Sequence, residues 1–453
     1  MDAEFFRRQH LVVEEKLATR ICETVADVAA VSDGNHFSIS ESFVDEGMPY
    51  YRGQDVVGHF FIEQASPNKI TREAFDQPLM RRSHLQQGDV LLSIIGTVGE
   101  TSLVKTKQEA TCSCKLAILR PKNIDPAYLA TYLSSAIGRS LTERWKRGAV
   151  QTGLLLEDMD QIPVPRFSKG FEAAVGATVG KAYTALESSQ RAIESAETQL
   201  LQALELENWK VPEDLTYVRS SHGVFAAGRL DAEHFQEGYF ALREKLTSLK
   251  FGCSSIGELS QSLTNGAEIR EYQTNGTPYL RVGDIRNLTV DENSVVKVDT
   301  ELAKDEMDKV GLEVGDVLVS RSGSLAVTAV VEPEWVGALI SSHLIRVRIG
   351  DSDFDPYYVA LFLSALPGRM QIQQWSNGGV QPEISQPSLR KIIVPRLPIA
   401  TQREIRDGIL AARMQRESAT QLLAAAKRAV EIAIEDSETA ALDHLAACER
   451  GAK

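Results

Sequence analysis

Two polar loops hold the residue types that best suit recognition of base edges and phosphates. The first, residues 144–152, reads RWKRGAVQT, and the second, residues 374–381, reads QWSNGGVQ. Arg and Lys donate hydrogen bonds to phosphates and guanine edges, whereas Gln and Asn suit adenine edges. The residue types therefore predict base-reading loops. The alternative is a solvated turn after a helix, whose polar side chains serve only their own backbone.

A second pair of loops places an Arg close to a Gly. Residues 50–54 read YYRGQ and residues 279–283 read YLRVG. The Gly lets another backbone or a ligand approach closely, and the Arg suits an anionic or planar polar partner. The alternative here is a β-turn that carries a surface Arg.

Motifs for catalysis are incomplete. Residues 355–358 (DPYY) are faintly similar to the Asn/Asp-Pro-Pro-Tyr motif of amino-methyltransferases, but the second Pro is missing and no Gly-rich cofactor loop accompanies it. An Asp before a Pro suits a helix start. Residues 176–181 (GATVGK) are one residue short of a phosphate loop. No H-E-x-x-H or G-x-S-x-G occurs, so we predict no catalytic, cofactor or metal site.

The loops belong to an internal repeat. Seven short matches recur in the same order at offsets of 227 to 230 residues, which indicates a duplicated domain. The matched segments are 2–6, 47–52, 88–93, 125–128, 138–139, 148–151 and 163–166, and their counterparts are 231–235, 276–281, 315–320, 355–358, 368–369, 378–381 and 393–396.

Each copy of the repeat predicts a mixed α/β domain. Aliphatic, β-branched runs bounded by Gly predict strands at 89–95, 113–119, 316–320, 328–331 and 339–349. A helix then follows from Asp125 roughly to Trp145, and from Asp355 roughly to Trp375. A Gly-containing loop and a short Pro-bearing segment lead from there into a long helix.

Residues 171–208 and 403–445 predict the two long helices. Residues that are apolar or small, except at Ser189, Arg416 and Ser437, step alternately by four and three. This is a 3.5-residue repeat typical of a coiled-coil seam. The seam positions are Val175, Val179, Ala182, Leu186, Ser189, Ile193, Ala196, Leu200 and Ala203, and then Ile405, Ile409, Ala412, Arg416, Ala419, Leu423, Ala426, Val430, Ala433, Ser437 and Ala440. A lone helix of roughly 55 Å would leave this stripe in water, so we expect the two helices to pack together. The alternative is two independent amphipathic helices on the globular domains.

Composition restricts the class of protein further. A chain of 453 residues has room for two or three domains. A net charge of −13 argues against a nucleic-acid coat protein but leaves room for local basic patches. No apolar run approaches a membrane span, the N-terminus lacks a signal-peptide core, and the five scattered Cys suit reduced thiols. These features predict a cytoplasmic protein.

Two half-chain repeats, each a mixed domain ending in a long helix, resemble the specificity subunit of type I restriction-modification enzymes. In the second half the carrying stretches are 277–281 (TPYLR), 315–323 (GDVLVSRSG), 340–344 (ISSHL), 378–382 (GGVQP) and 393–396 (IVPR). In the first half they are 50–55 (YYRGQD) and 96–99 (GTVG). The resemblance covers nearly the whole chain.

The resemblance implies that each globular domain reads one half of a split DNA site. It implies as partners double-stranded DNA and two modification subunits, which hold S-adenosylmethionine for adenine methylation, and a motor subunit with nuclease activity can join. Residues 168–170 (SKG) and 400–402 (ATQ) depart from the Glu-Gln that commonly opens the long helix in the family. The surface that meets the modification subunit is therefore expected to differ, and a related phage-defence methylation system is an alternative setting.

The expected fold is α+β: two mixed α/β target-recognition domains separated by a pair of long antiparallel coiled-coil helices. The expected bounds are 1–168 for the first domain, 169–210 for the central helix, 211–229 for a connector, 230–398 for the second domain, 399–446 for the C-terminal helix and 447–453 for a tail. The residues predicted to face DNA are Arg52, Gln54, Arg144, Lys146, Arg147, Gln151, Arg281, Arg321, Asn377 and Gln381. The rival functions are a self-contained adenine DNA methyltransferase and a coiled-coil scaffold that binds only proteins.

Overall fold

Helices and short strands alternate through both halves of the chain, as predicted for a mixed α/β protein. A computed structural model describes residues 3–148, 152–212, 216–286, 288–292, 294–378 and 381–451. The chain divides into two compact units. The first unit comprises residues up to Glu187 and those from Arg416 onward, and the second runs from Ser188 to Gln415.

The first half of the chain contributes seven helices and ten strands to the described structure. The helices are α1 (Arg8–Leu17), α2 (Val25–Val28), α3 (Arg72–Asp76), α4 (Pro126–Ser134), α5 (Ala136–Arg144), α6 (Leu156–Met159) and α7 (Lys169–Ala203). The strands are β1 (Cys22–Thr24), β2 (Ala29–Asp33), β3 (Phe43–Val44), β4 (Met48–Tyr51), β5 (Asn68–Ile70), β6 (Val90–Ser93), β7 (Thr101–Leu103), β8 (Thr111–Cys112), β9 (Leu116–Pro121) and β10 (Pro163–Pro165).

The second half contributes the remaining described elements. The helices are α8 (Ser221–Ala227), α9 (Glu237–Thr247), α10 (Ile256–Leu259), α11 (Thr300–Val310), α12 (Pro356–Ser364), α13 (Leu366–Trp375), α14 (Gln386–Leu389), α15 (Ile399–Glu435) and α16 (Glu438–Gly451). The strands are β11 (Cys253–Ser255), β12 (Ser260–Asn265), β13 (Thr277–Leu280), β14 (Ile285–Arg286), β15 (Thr289–Val290), β16 (Val296–Val298), β17 (Val317–Ser320), β18 (Thr328–Val330), β19 (Leu339–Ile340), β20 (Leu344–Ile349) and β21 (Ile393–Pro395).

Strand pairing repeats between the two halves. A four-stranded sheet has the order β2-β9-β6-β7 in the first half and β12-β20-β17-β18 in the second. Two-stranded pairs, β1 with β10 and β11 with β21, join the start of each copy to its end. A parallel pair also recurs, because Tyr50 lies opposite Thr111 and Tyr279 lies opposite Leu339. The duplication read from sequence is therefore a duplication of topology.

Each copy carries a buried Tyr that ties its α-helical layer to its last strand. The hydroxyl of Tyr128 donates to the carbonyl of Pro165 at 2.7 Å, and that of Tyr358 donates to the carbonyl of Pro395 at 2.7 Å. Both rings are fully buried, and burial raises the pKa of both phenols well above the ordinary value. These contacts hold the entry to each long helix against the domain.

The Asp-Pro segments start helices, as predicted. The Asp125 carboxylate accepts from the backbone N–H groups of Ala127 and Tyr128, and that of Asp355 accepts from Tyr357. A side-chain oxygen at this position satisfies backbone donors that the first helical turn cannot pair.

The repeated Gly-Asp match has a structural role. Asp89 accepts two hydrogen bonds from the guanidinium of Arg120, both at 2.8 Å, and Asp316 accepts two from Arg348, both at 2.8 Å. Each carboxylate is about 1% exposed. The pairs link the turn before β6 to β9, and the turn before β17 to β20.

The single helices predicted to end near Trp145 and Trp375 are each two helices. In the first copy the Ser135 hydroxyl accepts from the backbone N–H of Gly138 at 3.2 Å, which starts α5. In the second copy Pro367 stands at the start of α13, and Pro cannot supply the N–H that a continuous helix needs. A capping hydroxyl makes the first break and a Pro makes the second, both within an apolar run.

A tight approach at the start of α5 makes Gly138 a sensitive position. A Cβ there would lie 2.1 Å from the carbonyl oxygen of Tyr132, whereas a Cβ at Gly180 in α7 would meet no atom within 4 Å. We expect Gly138→Ala to lower the free energy of unfolding by about 1–3 kcal/mol. The matched control Gly180→Ala is expected to raise it by about 0.5–1 kcal/mol. Urea denaturation of the full chain measures both changes, and equal stabilities of the two variants would contradict the expectation.

The two long helices, α7 and α15, pack together within each unit. In the first unit Ala182 and Ala185 cluster with Ala419 and Leu422. In the second unit a Cβ on Gly408 would lie 3.5 Å from the Cβ of Ala196. Every predicted seam position is buried or half-buried, as expected for two segments that pack on each other.

The central helix ends at Ala203, earlier than the predicted residue 210. Glu205 adopts a left-handed backbone conformation with φ of 55°. The N–H of Leu206 then donates to the carbonyl of Leu201 at 2.7 Å, and that of Glu205 donates to Gln202 at 2.9 Å. This is the hydrogen-bond pattern of a helix C-cap, formed here without Gly.

The prediction placed the end of the C-terminal helix at residue 446, but the helix ends at Glu435. Arg20 donates to the carbonyls of Ile434 at 2.9 Å and Asp436 at 2.8 Å. The Ser437 hydroxyl accepts from the N–H of Ala440 at 3.3 Å and begins α16. Heptad spacing across Ser437 concealed this break.

The connector also differs from the prediction, because residues 221–227 form α8. Its N-cap is Ser220, which accepts from the N–H of Gly223, and its C-cap is Gly228 in the left-handed conformation. Ser before and Gly after a short apolar segment are helix signals that a search for periodicity passed over.

Candidate nucleic-acid interface

A cleft of about 480 Å³ in the second unit gathers four of the stretches singled out in the sequence. Each stretch contributes at least one lining residue. Among the lining residues are Tyr279, Arg281, Ser322, Ser341, His343 and Gln381. A concave surface with several polar groups converging on it is the usual form of a recognition site.

Backbone hydrogen bonds hold the loops of this cleft together. The N–H of Arg321 donates to the carbonyl of His343 at 2.9 Å, and the N–H of Ile384 donates to the carbonyl of Arg321 at 2.8 Å. Asn377 and Glu383 exchange two backbone hydrogen bonds, both at 2.8 Å. Three loops that are distant in sequence are therefore fixed side by side.

Arg281 is oriented by its neighbours. Its guanidinium donates to Asp284 at 3.1 Å and to the carbonyl of Ser294 at 2.8 Å, and it lies 5.4 Å from the ring centre of Tyr272. The hydrogen bonds that Arg281 donates to the Asp284 carboxylate raise the pKa of Arg281. The side chain is 36% exposed, so part of a positioned cation faces solvent.

Other polar groups of the cleft are also positioned. Ser322 shares a hydrogen bond of 2.6 Å with Nδ1 of His343, and Arg321 pairs with Glu383. The side chains of Asn377 and Gln381 are exposed. Hydroxyl, imidazole and amide groups provide both donors and acceptors, which suits base edges.

The first unit has the same backbone frame. The N–H of Ile94 donates to the carbonyl of Lys115 at 3.0 Å, and the N–H of Leu154 donates to the carbonyl of Ile94 at 2.8 Å. Arg147 and Gly153 exchange two backbone hydrogen bonds at 2.8 Å. These bonds match those of the second unit one for one.

The side chains on the two frames differ. Matching hydrogen bonds identify equivalent positions, at which the charge or hydrogen-bonding capacity has changed. The exchanged pairs are Ile94 and Arg321, Lys115 and His343, and Gly153 and Glu383. A common scaffold thus presents two different sets of side chains.

Arg52 and Gln54 lie at a 3-10 turn, Gly53–Val56. The backbone N–H of Arg52 donates to Asp55 at 2.7 Å and its Nε donates to the same carboxylate at 3.4 Å, as in the Arg281 turn. The Gln54 side chain is exposed. The structure places the two residues on one turn, with only Arg52 held by a partner there.

Arg144 is a packing residue. Its side chain is 8% exposed, and its Nε donates to the carbonyl of Phe5 at 3.1 Å while Glu14 lies 3.1 Å from its guanidinium. Its counterpart Gln374 is also buried and donates to the carbonyl of His234 at 3.3 Å. Both residues tie the first segment of their copy to a helix end. Arg144 was predicted to face DNA, but its side chain is buried here, so we leave it out of the proposed interface.

The rest of the first polar loop remains open to a ligand. Lys146 is half-exposed, and the Arg147 side chain is 60% exposed while it contacts Asp158 at 2.6 Å. Gln151 lies outside the described residues. Arg147, three residues after Arg144, is thus the arginine of this loop that a nucleic acid could reach.

Sequence reasoning missed several residues of the cleft as candidates. Arg270 is 86% exposed and pairs with Glu268 at 2.5 Å, and the hydrogen bond from Arg270 lowers the pKa of Glu268. His343 and Ser341 line the cleft as well. His343 stood within the ISSHL stretch, which was a usable signal, whereas nothing in the repeat marked Arg270.

Other kinds of site were sought in the described part of the chain. There, no group of three or more His, Cys, Asp or Glu is placed to hold a metal ion. All five Cys are free. None of the described helices is long and apolar enough to cross a membrane.

Comparison with known proteins gave matches among solved structures alone. No family model matches the chain, and no curated protein matches it. The chain is similar to a type I restriction-modification S subunit from M. genitalium, with 13% identity over 92% of this chain and 95% of that chain and a TM-score of 0.41. It is also similar to the HsdS subunit from Thermoanaerobacter tengcongensis, with 18% identity over 96% of this chain and 97% of that one and a TM-score of 0.27.

A third similar chain comes from a structure described as the basis of complex assembly and conformational transition of the type I R-M system. The identity is 16%, over 96% of this chain and 98% of that chain, with a TM-score of 0.29. Identities this low and TM-scores below 0.5 do not by themselves indicate a shared function.

Proposed function

We propose that this chain is the DNA sequence-specificity subunit of a type I restriction-modification complex, or of a related phage-defence methylation complex. The loops around Arg52, Ile94 and Arg147 form one loop cluster, and those around Arg281, Arg321 and Gln381 form the other. Each loop cluster reads one half of a split site, and the chain itself is not catalytic. The observation that carries the proposal is the pair of matching backbone frames with different side chains at their tips.

This arrangement fits the physical needs of DNA reading. Base edges are distinguished by the positions of donors and acceptors, so a reader needs rigid loops whose side chains can vary. Interlocked backbone hydrogen bonds supply the rigidity at Arg321 and at Ile94. The exchanged side chains at those positions supply the variation, so the two clusters suit two different half-sites.

The same proposal assigns the partners. Double-stranded DNA occupies the loop clusters, and two modification subunits bring S-adenosylmethionine and transfer the methyl group to adenine. The paired long helices serve as the spacer between the recognition domains. No cofactor is assigned to this chain.

A self-contained adenine methyltransferase is disfavoured by the environment of the Asp-Pro-x-Tyr segments. The Tyr of a working motif has to reach a target base, but Tyr128 and Tyr358 are fully buried and bonded to backbone carbonyls. Asp125 and Asp355 are used as helix caps. Both segments are therefore committed to the scaffold.

Mapping of methylated adenines in the host genome tests the function. Deletion of this gene is expected to abolish methylation at one split motif, and its return is expected to restore it. A methylation map unchanged by the deletion would show that the proposal is wrong.

Variants of individual loop residues test the site. With the chain in complex with its modification subunits, Arg147→Ala and Arg281→Ala are each expected to weaken binding to the cognate duplex by about 1–3 kcal/mol and to relax one base position. Binding to duplexes substituted at single positions measures both effects. Arg144→Ala is the matched control and is expected to lower stability without changing base preference. If Ala at Arg52, Arg147, Arg281 and Gln381 together leaves the binding pattern unchanged, the interface is assigned wrongly.

A further inference from the structure

A second cavity in the second unit, of about 670 Å³, has an aromatic floor and a basic rim. It lies beside α8, α9 and the end of α13. The floor is formed by Phe235, Phe240 and Trp375, and the rim carries Arg219, Arg243 and Lys391. Glu258 is the carboxylate among the lining residues, so the described lining is net positive in a chain whose formal net charge is −13.

The ring faces of this cavity are already in use. Nζ of Lys391 lies 4.2 Å from the ring centre of Trp375, and the guanidinium of Arg219 lies 4.1 Å from that of Phe240. Cations at these distances are held by the rings and cover them. A flat base cannot stack on the ring faces that these two cations occupy, whereas an aliphatic side chain beside a carboxylate can use the ring edges and the N–H donors.

The basic rim is found in the second copy of the repeat, and comparison with the first copy shows one of the residue changes that produce it. Cys22 donates to the carbonyl of Leu17 and Cys253 donates to that of Leu246, which aligns α1 with α9. Three residues before each Leu stand Glu14 and Arg243. The position has therefore changed from an acid to a base.

The exchange at this position leaves the cation of Arg243 without an ion-pair partner among the described residues. Glu14 pairs with Arg144 at 3.1 Å in the first unit. In the second unit Gln374 replaces Arg144, and no ion pair joins Arg243 to a carboxylate of the described residues. Arg243 is exposed, as is Lys391, which also lines the cavity. A carboxylate from outside the chain would complete both.

The wall of the cavity adds an apolar surface. Gly223 and Ala227 of α8 line the cavity. On and beside the same helix, Phe225 is 76% exposed, Val218 93% and Leu230 82%. Phe225 stands two residues from both Gly223 and Ala227 and therefore lies on the other face of the helix, so the part of α8 that faces the cavity is formed by Gly223 and Ala227.

We propose that this cavity and α8 form a docking site for an acidic segment of a partner protein that carries a large apolar side chain. The apolar side chain enters the aromatic cavity and contacts α8, while flanking carboxylates pair with Arg243 and Lys391. Elsewhere the net negative charge of the chain disfavours an acidic partner, so the basic rim directs it to this place. The inference does not depend on the DNA-reading proposal.

A displayed library of random 12-residue peptides, selected against the full chain, tests the inference. We expect enrichment of Asp or Glu next to Leu, Phe or Trp. A synthetic peptide from that set is expected to bind the Arg243→Glu/Lys391→Glu double variant at least tenfold more weakly than the natural chain, as measured by fluorescence anisotropy. Arg270→Glu, an exposed charge reversal in the same unit, is the matched control and is expected to leave peptide binding unchanged.

A charge-swapped peptide separates docking from loss of folding. The same peptide with its acidic residues replaced by Lys is expected to bind the double variant better than it binds the natural chain. If no acidic, apolar peptides are enriched, or if they bind the double variant as well as the natural chain, the docking site does not exist. If instead the double variant loses tenfold affinity for a random-sequence 20-base-pair duplex and no peptide binds, the cavity belongs to a nucleic-acid surface and the inference is wrong.

Discussion

Exchange of residues 1–168 for the matching segment of a related specificity chain is expected to change one half of the methylated site and to leave the other half intact. The first loop cluster lies within residues 52–154, and the second lies within residues 268–384. Each cluster is closed by hydrogen bonds within its own copy. Base reading in one cluster therefore does not need side chains from the other.

Genome-wide mapping of methylated adenines, with the exchanged chain in place of the natural one, measures this result. The control is the reciprocal exchange of residues 230–398, which is expected to change the opposite half. A suitable donor keeps apolar residues at those positions of segment 1–168 that share a core with Ala426 and Val430 of α15. If either exchange altered both halves of the site, the two copies would not read DNA independently.

Asp316→Ala is expected to lower the free energy of unfolding by roughly 3–5 kcal/mol, because it removes one partner of a buried ion pair. The carboxylate is 1% exposed and accepts two hydrogen bonds at 2.8 Å from Arg348. It also accepts from the backbone N–H of Glu313 at 2.9 Å. All three donors lose this partner in the variant.

Glu313→Ala is the matched control because Glu313 contacts the same guanidinium, at 2.6 Å, from a side chain that is 66% exposed. An exposed pair contributes about 0–1 kcal/mol, so a small loss is expected. Of the four Trp residues, Trp209, Trp335 and Trp375 lie in the second unit, so fluorescence during urea denaturation follows that unit. Equal losses for the two variants would mean that burial of Asp316 does not decide the energetics.

The segments that reveal the duplication in the sequence serve the scaffold. Asp89 and Asp316 hold a neighbouring strand, Tyr128 and Tyr358 hold the last strand, and Gly138 allows a close helix contact. These roles depend on one residue type at one place, so they survive in both copies and can be found by matching. Side chains that differ between the frames had no such signal.

Local sequence could not predict which polar side chains are buried and which are exposed. Arg144 and Arg147 stand three residues apart in one polar loop, yet the first is packed against Phe5 and the second is exposed. The partner of Arg144 lies 139 residues away in the chain. Residue type predicted the chemistry of both, but only tertiary contact decides which one a ligand can reach.

Helix ends escaped prediction for a related reason. The heptad pattern continues through Ser437, and the break there depends on Arg20, a residue far away in sequence that binds the last carbonyls. At Glu205 the left-handed conformation is adopted by a residue type that rarely takes it. Periodicity predicts which face of a helix is apolar, but not where a distant side chain caps it.

Membership of residues 416–451 in the first unit has a consequence for biosynthesis. The core of that unit includes Ala429, Val430 and Ala433 of α15, packed with Val175 and Val179 of α7. At about 5–20 residues per second, a ribosome needs on the order of 12–50 s to travel from the middle of α7 to the end of α15. The second unit is one continuous segment and can close as soon as it emerges. The first unit therefore begins synthesis first but completes its folding last. The apolar face of its nascent chain stays uncovered until the C-terminal residues have been synthesised.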